Sequence, residues 1–302
     1  MAFRKEKAVG QYGNTKMGYL FMAPFLVLFA LFIIVPVLIS LALSLTNYNM
    51  METPDFIGIT NFKLLILDDK EFLIALKNTL LFAVISGPIS FLASFIMAWL
   101  INNLKKLRNV FSLAFYAPSI TSGVAMSTVW LYFFSSDSYG LINNALIRIG
   151  LISEPIKWTL DSQYILGVVV FISIWMGMGT GFLTFLAGLQ GLNEEIYEAG
   201  MIDGIRNSVQ ELFYLTLPQM KPQLLFAAIN GTVSAFGVFD IAVAVAGMPS
   251  PNYAAHTIVA HLYDYAFIRF DMGYASAVAV ILFLMTFVLG RVFMKVFSSK
   301  DQ

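Results

Sequence analysis

Six long apolar stretches alternate with polar intervals along this chain, at 17–45, 73–101, 109–134, 164–189, 223–246 and 273–296. Each reaches the ~20 residues that a helix needs to cross a ~30 Å hydrocarbon core, with room for tilt. The pattern predicts an all-α integral membrane protein of six transmembrane helices. One membrane domain then occupies 17–297, with a polar segment 1–16 before it and a tail 298–302 after it. The first stretch is too long for the apolar core of a cleavable signal peptide, and no small-residue cleavage site follows, so it reads as a retained helix. Pro24, Pro36, Pro88 and Pro118 fall in or near these stretches and loosen the backbone there.

Composition agrees with a lipid solvent. The 302 residues are 59% hydrophobic and 12% charged, with a mean hydropathy of +0.78. A soluble domain is roughly half apolar and about a quarter charged. Eighteen basic and eighteen acidic residues cancel, so nothing points to nucleic acid. The basic residues are unevenly placed, however. Twelve fall on the side shared by both termini and the 191–222 interval, including Arg4, Lys5, Lys105, Lys106, Arg206 and Arg291. Six fall on the other side. The positive-inside rule therefore predicts cytoplasmic termini and a cytoplasmic 191–222 loop.

Several chemistries find no support. The chain has no cysteine, which excludes disulfides and thiolate sites. It has no Gly-rich loop ending in Gly-Lys-Ser or Gly-Lys-Thr, so it offers no phosphate cradle of its own. Neither a Ser/His/Asp order nor a His-Glu motif supports a membrane hydrolase. His256 and His261 lie five apart, off a common helical face, and with Asp264 they make no convincing metal site. The expectation is no metal, and no cofactor bound by this chain.

The 191–222 interval is the one long polar stretch between apolar spans that carries internal order. Asn193 is placed to cap a helix, and Glu194, Glu195 and Glu198 follow in its first turns, where the dipole favours negative charge. On a helical wheel Glu195, Glu198, Ala199, Ile202 and Arg206 share one face. Tyr197, Met201 and Ile205 share an apolar one, bordered by Gly200 and Gly204. Gly204 is placed to stop the helix. A second helix is expected to start at a capping box of Ser208 and Glu211, and to end before Pro218.

Glu198, Ala199, Gly200, Asp203, Gly204, Leu217, Pro218 and Pro222 fall at the spacing of the cytoplasmic "EAA" loop, which this interval resembles. That loop belongs to permease subunits of binding-protein-dependent ABC importers. Gly200 departs from the family's usual second Ala, keeping the small residue while losing some helix propensity. The resemblance covers most of the chain and is closest to sugar-type permeases similar to the larger maltose-permease subunit. It takes in Tyr19 to Pro24, Ser44 to Tyr48, Asn61-Phe62, Asn78-Thr79, Gly140 to Asn143, Ile174-Trp175, Leu186 to Gln190 and Phe236 to Asp240. Gly247-Met-Pro249 is a degraded form of the usual Gly-Gly-Pro.

The resemblance implies the ABC importer permease fold in the cytoplasmic membrane of a prokaryote, a sugar or oligosaccharide as substrate, and four kinds of contact. These are a second homologous permease, two ATP-binding subunits that hold ATP and Mg, an external or periplasmic substrate-binding protein, and lipid. It also implies that Glu195, Tyr197, Glu198, Ala199, Gly200, Met201, Asp203, Gly204 and Pro218 couple the permease to the ATPase.

Inside the membrane, Asp240 is the only carboxylate within an expected span. An acid there is costly unless it faces protein or water, which leaves a functional role or a structural hydrogen bond open. Asn230, Ser234, Gly237 and Asp240 recur at i, i+4, i+7 and i+10, drawing a polar stripe that faces either a cavity or another helix. Trp175 either stacks on a sugar ring or packs. Gly177 and Gly181 have the spacing of close helix packing. Trp130, Tyr132 and Tyr139 read as an interfacial belt. A secondary transporter, the alternative class, ordinarily needs a relay of buried charges and an inverted repeat, and neither is visible here.

Overall fold

The computed structural model describes residues 15–104 and 106–297; most of the 1–16 segment, Lys105 and the 298–302 tail lie outside the described residues. Helix α1 runs through Thr15–Phe29, a wide turn at Ala30–Ile34, and Val35–Leu43. Then come α2 (Thr60–Leu67), α3 (Lys70–Asn102), α4 (Arg108–Ile120), α5 (Gly123–Phe133), α6 (Leu141–Arg148) and α7 (Ile165–Gln190). The polar interval holds α8 (Glu194–Ile202) and α9, which joins Ser208–Glu211, a wide turn at Leu212–Thr216, and Leu217–Gln219. The rest is α10 (Lys221–Phe236), α11 (Asp240–Ala246), α12 (Ile258–Tyr263, carried on by a wide turn at Asp264–Ile268) and α13 (Met272–Phe297). Five stretches are long and apolar enough to cross a bilayer, with α10 and α11 taken as one, and α4 with α5 makes the sixth. The end that carries α8 and α9 is called here the loop end, and the opposite one the far end.

Two stretches that the pattern reads as single spans are broken. The 109–134 stretch bends by 98° between α4 and α5. Pro118 supplies no amide donor, and the polar residues around it draw backbone bonds to themselves: Ser119 Oγ donates to Tyr116 O at 2.8 Å and Thr121 Oγ1 to Ala117 O at 3.0 Å. Thr121 is extended, at φ −82 and ψ 145, and the chain turns there. The 223–246 stretch leaves the helix at 237–239, where Phe239 sits at φ −139 and ψ −64.

The second helix of the polar interval does not stop before Pro218, as the sequence suggests. It widens to an i→i+5 bond, Leu217 N–H to Leu212 O, and continues through the proline. In α1, Val35 N–H bonds Ala30 O in the same way, just before Pro36. A proline ring presses on the carbonyl one turn back, and a wide turn moves that carbonyl aside.

Helix α7 is the centre of the bundle, with Val169, Ile172, Phe182 and Phe185 fully buried. Lipid is as apolar as these side chains, so what holds them is close packing rather than water exclusion. Of the three glycines in 177–181, those that pack are Gly179 and Gly181. A Cβ on Gly179 would stand 3.2 Å from Tyr116 Cα and one on Gly181 3.0 Å from Ser94 Oγ, whereas Gly177 meets nothing within 4 Å. Trp130 does not join an interfacial belt. It packs into the core with Phe133, Phe134, Phe171 and Trp175, while Tyr132 and Tyr139 stay exposed.

Candidate functional site

Three helices turn rows of small polar side chains onto one cavity of about 690 Å³. On α3 these are Ser86, Ser90 and Ser94, one helical turn apart; on α7, Thr180 and Thr184 beside Gly177 and Gly181; on α10, Asn230 and Ser234. Gly237, in the break after α10, and Asp240, at the start of α11, continue the wall. All four residues of the expected stripe are exposed, so it faces open space and not another helix of this chain. The break means that Asp240 reaches this wall as the first residue of a new helix, not as a tenth step along a straight one. The serine row of α3 and the threonine pair of α7 did not stand out in the sequence. Small hydroxyls every fourth residue in an apolar helix are the signal that would have found them.

Trp175 is not brought to this wall. It lies two residues from Gly177, about 200° round the helix. There its ring meets Trp130 edge-on at 5.2 Å. Phe82, Phe91, Phe185 and Phe226 line the cavity as well. Among its described lining residues Asp240 is the one charged side chain.

At the loop end, Asn193 Oδ1 accepts from Glu195 N–H at 3.0 Å and opens α8. Gly204, at φ +99, closes it, a backbone setting that L side chains rarely adopt. The cap of α9 is Asn207, whose Oδ1 accepts from Gln210 N–H at 2.8 Å; the expected Ser208 and Glu211 box does not form. Asn207 sits in extended backbone, as an N-cap requires, while Ser208 is already in the helix. Tyr197 Oη and Thr216 Oγ1 lie 3.1 Å apart and tie α8 to α9. Gly200 is buried against Leu215, and a Cβ there would come 2.7 Å from Leu215 Cδ1. Met201 does not join Tyr197 and Ile205 on a packed face: it is 65% exposed, and Ile202 87%. Gly200 lets Leu215 in close, and Met201, the next residue round the helix, lies outside that contact. Glu195, Glu198, Ala199, Ile202, Asp203 and Arg206 are exposed as well. The result is a bare apolar pair, Met201 and Ile202, rimmed by acids, and Pro218 is exposed further along.

The far end is built oppositely, from pairings between distant parts of the chain. Asn78 Nδ2 donates to Tyr253 O at 2.8 Å and His256 O at 3.0 Å, and Ile258 N–H donates to Thr79 Oγ1 at 2.9 Å. Asp69, the N-cap of α3, accepts from Phe72 N–H at 2.8 Å and from Tyr274 Oη at 2.5 Å. His261 Nε2, fully buried, lies 3.1 Å from Asp69 Oδ2. Burial alone would raise the Asp69 pKa; the Tyr274 and Phe72 hydrogen bonds and His261 outweigh it and hold the carboxyl below its usual value. Burial pushes His256 down to about 4, and His261 beside it works the same way. His261 is lowered too, first by burial. Arg269 Nε meets Asp264 at 2.7 Å and its guanidinium lies 4.3 Å over the Tyr265 ring.

Helical spans, a polar cavity and an exposed helix–turn–helix at one end define a multi-pass membrane permease. Residues 88–300 match the model of the family described as binding-protein-dependent transport system inner membrane component, and the chain belongs to that family. It is 33% identical over 294 residues to the probable ABC transporter permease protein YesP of Bacillus subtilis, covering 95% of this chain and 93% of that one. It is also 33% identical over 307 residues to the lactose transport system permease protein LacF of Rhizobium radiobacter, covering 100% of both. A chain in the crystal structure of a bacterial ABC transporter involved in the import of the acidic polysaccharide alginate has the same fold. Its TM-score is 0.79 at 21% identity, over 95% of this chain and 96% of that one.

Proposed function

We propose that this chain is one permease subunit of an ATP-driven sugar or oligosaccharide importer in a prokaryotic cytoplasmic membrane. The observation that carries the reading is the cavity. Its hydroxyl and amide rows suit the many donors and acceptors of a sugar, and its aromatic rings suit the apolar faces of one. A second, homologous permease faces the exposed stripe and completes the pathway. A substrate-binding protein delivers the sugar at the far end; the alginate transporter has been crystallised with such a periplasmic protein bound. The loop end faces the cytoplasm, as the distribution of basic residues supports.

There Glu198, Met201, Ile202 and Asp203 enter a cleft of a separate ATP-binding subunit. An apolar pair with an acidic rim fits an apolar notch with basic edges. ATP and Mg are held by those partner subunits, and their closure moves the loop. Nucleotide shifts the permease between inward- and outward-facing states only by as much as it binds the two states differently.

The test is Gly237→Leu, which puts bulk on the cavity wall at a position whose added Cβ meets only its own helix, at Val233 O and Ser234 O. Uptake is expected to fall by about tenfold or more in a complex that still assembles and hydrolyses ATP when given its binding protein. Undiminished uptake would move the stripe to a helix–helix interface.

A further inference from the structure

We infer that Asp240 is the charge-selecting residue of this cavity. It admits neutral or amino-bearing sugars and holds out solutes that carry carboxylate, sulfonate or phosphate. The inference rests on the cavity's being the solute path, as proposed above. Family membership leaves solute charge open, since the relatives include one named for lactose, an uncharged sugar, and one that imports acidic alginate. The cavity itself is less neutral on the question.

Among its described lining residues the polar groups are hydroxyls, one amide and Asp240, so its formal charge is that of a single carboxylate. Asp240 is exposed to this space. No described residue forms an ion pair with it or hydrogen-bonds its side chain. Gly123, the first residue of α5, backs it: a Cβ added there would reach only ordinary van der Waals contact, 3.7 Å from Asp240 Cβ and 3.8 Å from Ile241 Cγ1. Asp240 thus has α5 behind its backbone and open space before its carboxylate. A lone charge on a wall whose other polar groups are neutral hydroxyls and one amide has no counter-charge beside it, and clefts lined by one sign of charge focus the field into the space they enclose. An anionic solute in that space meets uncompensated repulsion, while a neutral sugar can donate hydroxyl hydrogens to the carboxylate.

The chain's lack of cysteine allows a test that needs no knowledge of the sugar. In the complete transporter, Ser234→Cys places a thiol on the same wall, roughly 10 Å from Asp240 on the scale of the cavity of about 690 Å³ that both residues line. Its labelling rate is read on this chain with two methanethiosulfonates of similar size, one bearing trimethylammonium and one bearing sulfonate. Any effect of Asp240 on the thiol's own ionisation is common to both reagents and cancels in the ratio of the rates.

One unit charge at that distance and an effective dielectric constant of about 20 changes each reagent's local concentration by roughly tenfold, in opposite directions. The cation-to-anion rate ratio is therefore expected to drop by at least about tenfold on adding Asp240→Asn and to invert on adding Asp240→Lys. A ratio that stays the same in all three backgrounds would overturn the charge-selection inference while leaving the cavity intact as a solute path. Absence of labelling by either reagent would instead overturn the cavity reading, and this inference with it.

Discussion

The two ends of the molecule are held by opposite means. At the far end, hydrogen bonds join residues 175 to 205 positions apart: Asn78 to Tyr253, Thr79 to Ile258, Asp69 to Tyr274. At the loop end the caps of α8 and α9 reach two or three residues, and the Tyr197–Thr216 contact spans 19. The far end pairs Asp69, Asn78 and Thr79 within the chain and buries two histidines, of which His261 has no hydrogen-bond partner at either ring nitrogen. The loop end satisfies its backbone locally and leaves an apolar pair bare. One end is finished by its own sequence; the other has a surface shaped to be finished by something else.

Three changes probe that contrast, taken in order of their expected effect on stability. Asp69→Ala removes the acceptor shared by Phe72, Tyr265 and Tyr274 and the carboxylate beside His261, and losing several such bonds at a half-buried carboxylate costs about 2–3 kcal/mol. Thermal unfolding in detergent should show it as a lowered midpoint; an unchanged midpoint would mean that the far end is not held by this carboxylate.

Acid is the second probe. Burial pushes His256 from its ordinary 6.5 down to about 4 in the folded chain, so the unfolded chain takes up the proton first. Its contribution is complete above pH 6.5 and is lost as pH falls from there toward 4, amounting to on the order of 3 kcal/mol. His261, lowered in the same sense, adds to the slope. Unfolding midpoints measured from pH 7.5 to 5 should fall with pH, and His256→Gln should flatten that fall. A profile equally steep in the variant would place the proton uptake elsewhere.

The smallest stability effect is expected at the loop end. Glu198→Lys reverses an exposed charge and should shift unfolding by no more than about 0.5 kcal/mol. It should nonetheless separate ATP hydrolysis from uptake, because the reversed charge sits where a partner must approach. Normal uptake and normal ATPase binding by purified complexes with this change would remove Glu198 from the contact.

What was legible in the sequence follows the same division. The spans were legible because lipid imposes length and hydropathy on every helix that crosses it. Helix α8 was legible because Asn193, its glutamates and Gly204 act within a few residues of themselves. The cap of α9 was misplaced by one position because Asn207 and Ser208 are both good caps, and only backbone geometry decides between them. The 98° bend was written in Pro118, Thr121 and Ser122, but a hydropathy window averages over such residues. The far-end cluster was not legible at all. Nothing near Asp69 announces a tyrosine 205 positions on, and His256 and His261 look like ordinary loop histidines until the fold buries them.

The wide turn in α1 has a consequence for how that helix is aimed. One i→i+5 turn inserts an extra residue into the helical count, which amounts to a rotation of about 100° for everything before it relative to everything after. Val35–Leu43 leans on α13, while 17–29 leaves every side chain but Ala23 exposed. The lower half of α1 is thus an arm with its own azimuth, and losing a single residue from Ala30–Ile34 would swing its phenylalanines by more than a quarter of a circle without unwinding anything.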